Sequence, residues 1–168
     1  MKKIAVYAGT FDPITFGHLW MIETGSKMFD ELIVAIGVNP DKKCLFDLNE
    51  RLEMIRGAVG HLPNISVRHF SNEFLIGYAT RIGANFVLRG IRTATDYEYE
   101  KTMRSVNSDI CDRVTTVFLM PPREMSETSS SLVKGLVGPT GWEDVVSRYV
   151  PAQVLNKLKE KKNEKAHG

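Results

Sequence analysis

The residues best suited to chemistry stand close together, in the stretch Tyr-Ala-Gly-Thr-Phe-Asp-Pro-Ile-Thr-Phe-Gly-His that runs from Tyr7 to His18. Thr10 and Thr15 offer hydroxyls and His18 an imidazole. Gly9 lets a ligand approach the backbone, and Pro13 fixes the direction of the loop. A helix opening at Thr15-Phe16-Gly17-His18 aims free backbone N–H groups and the imidazole at one spot, and that spot suits an anion. Taken singly, Gly-Thr is a turn and a histidine at a helix start is a cap. Joined in one loop, they make a phosphate-binding turn with a donor beside it. The sequence leaves the charge of His18 open: the helix dipole disfavours imidazolium there, and a bound polyphosphate favours it.

Other groups extend the same chemistry. Lys42, in the polar loop Asn39-Pro40-Asp41-Lys42-Lys43, is a flexible point charge able to reach a phosphate. Arg89 and Arg92 bracket Gly90 and Ile91, and two guanidinium groups at that spacing can fork onto phosphates. Ser129, Ser130 and Ser131 crowd a helix start, where hydroxyls and N–H groups could grip a nucleotide's phosphates or simply cap the helix. Asp96 needs no function, because a carboxylate at a helix start is favoured by the dipole. No Ser-His-Asp or Cys-His arrangement is readable, nor a tight carboxylate cluster for a metal. The chemistry on offer is positioning and charge stabilisation by donors and cations.

The elements that hold these groups alternate strand and helix, which predicts one α/β domain built on a doubly wound five-stranded parallel sheet with helices on both faces. Strands are expected near Lys3–Ala8, over Leu32–Val38, Ile65–Phe70 and Phe86–Leu88, and over Val114–Met120. Leu19, Met21, Ile22, Gly25, Met28 and Phe29 recur at helical spacing after the first strand. Asp47-Leu48-Asn49-Glu50 has capping-box spacing and opens a helix to about Val59. Helices are also predicted around Leu75–Ile82, Thr95–Asp109, Ser129–Val137 and Trp142–Tyr149, with a last one from Pro151. On this map Thr10, His18, Lys42, Arg89, Arg92 and the serines all follow strand ends, the edge where open parallel sheets bind ligands. The domain is read as residues 1–160, and 161–168 as a charged, solvated tail.

Composition sets outer limits. The chain has 168 residues, 43% hydrophobic and 25% charged, enough for one sizeable core. A net charge of +2 is too small to argue for nucleic acid, and no apolar run approaches a membrane span. Met1-Lys2-Lys3 could open a signal peptide, but Asp12, His18 and Glu23 interrupt the apolar region it would need. Cys44 and Cys111, far apart and without metal-ligand spacing, read as free thiols in a reducing cytoplasm.

The strings Gly-Thr-Phe-Asp-Pro-Ile-Thr-x-Gly-His, Arg-Gly-Ile-Arg-Thr-Ala-Thr-Asp-Tyr-Glu-Tyr-Glu, Val-Phe-Leu-Met-Pro and Ser-Ser-Ser-Leu-Val-Lys, in this order, resemble the nucleotidylyltransferase superfamily. Within it they look most like the phosphopantetheine adenylyltransferases, from Ala5 to about Leu136. The resemblance implies a Rossmann-like fold and transfer of the adenylyl group of ATP to 4′-phosphopantetheine. It implies ATP contacts from Thr10, Phe11, His18, Gly90, Ile91, Arg92 and Glu100, and from Met125, Ser126, Glu127, Thr128, Ser129, Ser130 and Ser131. The acceptor would be held by Thr10, Lys42, Leu75 and Arg89. His18, as a transition-state stabiliser, would carry catalysis with Lys42 and Arg92. Met125 stands where family members often have Trp, Thr128 where Ile is usual, and Phe16 where Asn is common. Mg²⁺ would be held by the triphosphate and water, with no protein-held metal. A homohexamer, feedback by coenzyme A and a cytoplasmic site are further implications of the resemblance. Two alternatives stay open on sequence: another acceptor such as nicotinamide mononucleotide, or a module that senses ATP or coenzyme A without catalysis.

Overall fold

Strand β1 (Ile4–Gly9) lies at the middle of the molecule because its residues are apolar on both sides of the pleat, as a strand covered on both faces requires. The computed structural model describes residues 1–166. On one flank β1 pairs in parallel with β2 (Glu31–Val38), and β2 with β3 (Ile65–Ser71). On the other it pairs with β4 (Phe86–Gly90), and β4 with β5 (Thr115–Leu119). The order is therefore β3-β2-β1-β4-β5, which reverses direction at β1 and opens a crevice at the carboxyl ends of β1 and β4.

Alternate strand residues feed two cores. Ala5, Tyr7, Leu32, Val34, Ile36 and Leu88 pack under α1 (Phe16–Met28), α2 (Leu48–Val59), α6 (Ser130–Leu136), α7 (Trp142–Val146) and α8 (Ala152–Ala166). Val6, Ala8, Ile33, Ala35 and Val87 pack under α3 (Leu75–Arg81). The long helix α4 (Ala94–Ile110) buries only Glu100 and leaves Tyr97, Tyr99, Val106 and Ile110 exposed. The predicted capping box at α2 is present, with Asp47 and Glu50 each accepting from the other's backbone N–H.

The chain departs from the sequence reading at two places. A short helix, α5 (Arg123–Ser126), follows β5 where no periodicity predicts one. The second departure is at the carboxyl end, where α8 continues past position 160 to Ala166. Lys161 Nζ sits 2.9 Å from Glu50 of α2, and Lys162 Nζ donates to the Gly138 carbonyl at 2.9 Å beside the Trp142 ring. Charged side chains that find tertiary partners extend a helix which composition reads as a solvated tail. Positions 167 and 168 of that predicted tail lie outside the described residues.

Candidate active site

The turn after β1 is built around a capping box that uses histidine. Thr15 caps α1, its hydroxyl accepting the His18 backbone N–H at 3.5 Å. In return the Thr15 backbone N–H donates to His18 Nδ1 at 3.1 Å, and the Thr15 hydroxyl lies 3.0 Å from the same nitrogen. Nδ1 is thus an acceptor, so the neutral ring carries its proton on Nε2. Burial, reinforced by the positive charge of Arg92, pushes the His18 pKa down to about 4. Cap and donor are not alternatives here: one nitrogen closes the helix, and Nε2–H is left without a partner among the described residues. The Phe11 ring meets the imidazole edge-on at 5.0 Å and Tyr7 backs Phe11 at 5.5 Å, so the ring cannot swing freely. Gly17 packs closely under the 125–128 backbone: a Cβ there would lie 3.1 Å from the Thr128 carbonyl oxygen and 3.2 Å from that of Met125, so a larger residue would have to displace that backbone by a few tenths of an ångström.

Three elements brace this turn. Arg51 of α2, 5% exposed, donates from Nη1 to the Thr10 carbonyl at 3.0 Å. Ser130 donates its hydroxyl proton to the Pro13 carbonyl at 2.7 Å. Asp12 accepts from the Leu45 and Phe46 backbone N–H groups, each at 2.9 Å, and from Lys134 Nζ at 2.8 Å. Burial alone would raise the Asp12 pKa, but Lys134 and the two amides outweigh it and hold the carboxyl below its usual range.

Beside the turn opens a cleft of about 510 Å³. Its walls carry Lys42, Lys43, Arg89, Arg92 and Lys134 against one acidic residue, Asp12, although the chain as a whole is only at +2. That concentration of positive charge, at the crevice where the strand order reverses, fits a polyphosphate. Thr10, Phe11, His18, Gly90, Met125, Thr128, Ser129, Ser130 and Ser131 also line it. A second cavity, of about 310 Å³, shares Thr10 and Arg89 with the cleft and is walled by Phe70, Phe74, Leu75, Tyr99 and Met103.

Several of the predicted residues also have partners within the protein. Glu100, expected beside ATP, takes both Nε (2.8 Å) and Nη2 of Arg89, because a largely buried guanidinium needs a counter-charge. Arg89 Nη1 donates in addition to the Ala8 carbonyl at 3.2 Å. Arg92 donates from Nε to Asp96 at 3.1 Å, which orients the guanidinium. Ile91 is buried behind the cleft, its backbone N–H donating to the Leu119 carbonyl. Ser126 donates its hydroxyl to the Arg123 carbonyl, Glu127 ends α5, and neither lines the cleft. The Ser129 hydroxyl accepts from the Leu132 N–H as the α6 cap and keeps its own O–H to donate, whereas Ser130 spends its O–H on the Pro13 carbonyl and keeps only acceptor capacity. Sequence reasoning missed Arg51, the tie made by Asp12, and Lys134. Lys134 was readable: it stands one helical turn after Ser130 and so shares its face of α6.

A parallel sheet in this order, with a Thr-x-Gly-His helix start at a cationic crevice, defines a nucleotidyltransferase-type α/β protein. The family model described as cytidylyltransferase-like matches residues 6–136. The chain superposes on a solved structure described as a putative nicotinate-nucleotide adenylyltransferase from Vibrio parahaemolyticus, with a TM-score of 0.68, 18% identity, and coverage of 94% of this chain and 99% of that one. It is 55% identical to a phosphopantetheine adenylyltransferase of Chromobacterium violaceum, over 93% of this chain and 95% of the relative. To the protein of that name from Neisseria meningitidis serogroup C it is 54% identical, over 92% and 91%. The chain belongs to the phosphopantetheine adenylyltransferase family.

Proposed function

We propose that the chain transfers the adenylyl group of ATP to 4′-phosphopantetheine, forming dephospho-CoA and pyrophosphate. The observation that carries this reading is the cationic cleft joined to a more apolar cavity through Thr10 and Arg89. A triphosphate suits the cleft. A phosphate on a long, mostly uncharged arm suits the junction, with Arg89, Thr10 and Lys42 at the charged end and Leu75 along the arm. The relatives' name supplies the acceptor.

The acceptor phosphate is anionic at neutral pH, so its oxygen attacks the α-phosphorus without a general base. As that bond forms, the bond from the α-phosphorus to the bridging oxygen breaks, and pyrophosphate leaves with the electron pair. The Nε2–H of neutral His18 donates to an α-phosphate oxygen, whose charge grows most at the transition state. Lys42 and Arg92 offset charge on the attacking and leaving groups. Thr10, Phe11, Gly90, Ile91 and the 125–131 segment shape the ATP side, and Glu100 serves it by fixing Arg89. Mg²⁺ is assigned to the substrate, carried on the triphosphate and water, as the preference of that ion for phosphate and water oxygens allows. Coenzyme A unites an adenylyl and a pantetheine half and would span both cavities, the basis for feedback. The exposed Tyr97, Tyr99, Val106 and Ile110 of α4 support burial between copies in a homohexamer. Two unpaired cysteines suit a reducing cytoplasm.

The test is an assay for dephospho-CoA and pyrophosphate from ATP with phosphopantetheine, run beside nicotinamide mononucleotide. Dephospho-CoA formation supports the reading. Product with the mononucleotide alone, or binding of both ligands without turnover, overturns it.

A further inference from the structure

We infer that Asp12 is a positioning residue for the acceptor: its carboxylate fastens the loop that carries Lys42 to the phosphate turn. The inference rests on the reaction proposed above and gives a task to a residue that the reaction itself does not use.

Asp12 is 2% exposed, and its two oxygens serve donors from two distant stretches of chain. Oδ1 accepts from Phe46 N and Oδ2 from both Leu45 N and Lys134 Nζ. The loop between β2 and α2 is exposed from Asn39 to Lys43 and becomes buried at Phe46. Within it, the Lys42 side chain has no partner among the described residues, and its backbone N–H makes a single bond, to the Asn39 carbonyl at 3.2 Å. The distance between Lys42 and Thr10 is therefore governed by where Leu45 and Phe46 are tied. Arg51, one turn into α2, is tied to the carbonyl of Thr10 itself, so the far end of the same loop is registered on the same turn. Burying a carboxylate costs free energy unless its charge and lone pairs are satisfied. A small apolar residue would fill the space without that cost, but it could not accept two amides from a neighbouring loop. Lys134 balances the charge from α6, the helix that the Ser130 hydroxyl already holds to Pro13.

Asp12→Asn keeps the size and replaces one acceptor by an NH₂ donor, which then faces an N–H or an ammonium group. Phosphopantetheine affinity is expected to fall about tenfold or more, the loss typical of a hydrogen-bonded charged group, while the ATP Kd moves less than about threefold. In a Lys42→Ala background the same substitution should cost little further, because the carboxylate acts through Lys42. Parallel losses for both ligands, or an equal penalty with and without Lys42, overturn the inference. A fold-independent check uses the unaltered protein: the Leu45 and Phe46 amides should exchange with solvent far more slowly than those of Asp41, Lys42 and Lys43. Equal exchange rates across the loop overturn it as well. If the unaltered protein ignores phosphopantetheine while those amides are protected, it is the acceptor assignment that fails and not the tie.

Discussion

His18 and Lys42 line the same cleft, yet they are held in opposite ways. The half-buried imidazole is fixed on two sides, by Thr15 through Nδ1 and by the Phe11 edge. Lys42 rides an exposed turn and its ammonium touches nothing among the described residues. A donor that acts on a developing charge gains by standing in place before that charge appears, because no reorganisation is needed at the moment of reaction. A cation that gathers an incoming phosphate gains by reaching out for it. The contrast assigns His18 to the rate and Lys42 to capture of the acceptor.

The largest expected effect comes from breaking the fixed side. His18→Ala should lower kcat by ~10²-fold or more, by analogy with removal of an oxyanion donor, with the ATP Kd changed far less. Single-turnover rates and ATP titrations on the same variant decide it. A near-normal rate, or a loss explained wholly by weaker ATP binding, would return His18 to the role of a cap.

On the exposed side, Lys42→Ala should raise the phosphopantetheine Kd by about tenfold, the order of one lost charge-assisted contact, and leave ATP binding much less affected. Calorimetry that gives equal losses for both ligands would erase the division of labour. Arg92 is intermediate in this comparison, oriented by Asp96 and yet on the cleft wall. Arg92→Ala should raise the ATP KM and slow the reverse reaction with pyrophosphate by a factor of several, because Asp96 already holds part of its charge. Unchanged pyrophosphorolysis would make the Arg92–Asp96 pair a helix-start brace and nothing more.

The sequence made the fixed parts readable and hid the partnerships. The strands around Val6 and Val34, the Asp47–Glu50 box and the Thr15–His18 helix start are local patterns, set by neighbours within a few positions, so periodicity and capping rules reach them. Helix α5 is too short to show a period, and it starts directly after Pro122. Arg89 with Glu100, Ser130 with Pro13 and Lys134 with Asp12 join residues 11, 117 and 122 positions apart. Such choices depend on the sheet order that brings the strand ends together. For that reason the partners of Glu100 and of the Ser130 hydroxyl come into view only with the sheet.

The smallest effect is also the most direct reading of how His18 is held. A free imidazole titrates near 6.5, whereas His18 in the folded chain is pushed to about 4. Between those values the unfolded chain binds a proton that the folded chain refuses, so stability falls as pH drops from about 6.5 to about 4 and is fully present above that window. The lowered Asp12 and Asp96 carboxyls lose their contribution only at more acidic pH, around and below the ordinary carboxylate value of 3.8. The upper window therefore belongs to His18, and His18→Gln, which cannot take up the proton, should flatten the melting-temperature curve there. Imidazole NMR on the unaltered protein should find the His18 midpoint near 4 without nucleotide. It should rise when ATP binds, because polyphosphate favours the cation. Removing the neighbouring positive charge in Arg92→Ala should lift the midpoint by less than burial lowers it, since burial is the larger cause. A midpoint near 6.5 in the nucleotide-free protein would mean that the ring is neither buried nor engaged through Nδ1. The charge of the donor to the α-phosphate would then be decided by the bound polyphosphate and not by the folded chain, and the contrast with Lys42 would be one of position alone.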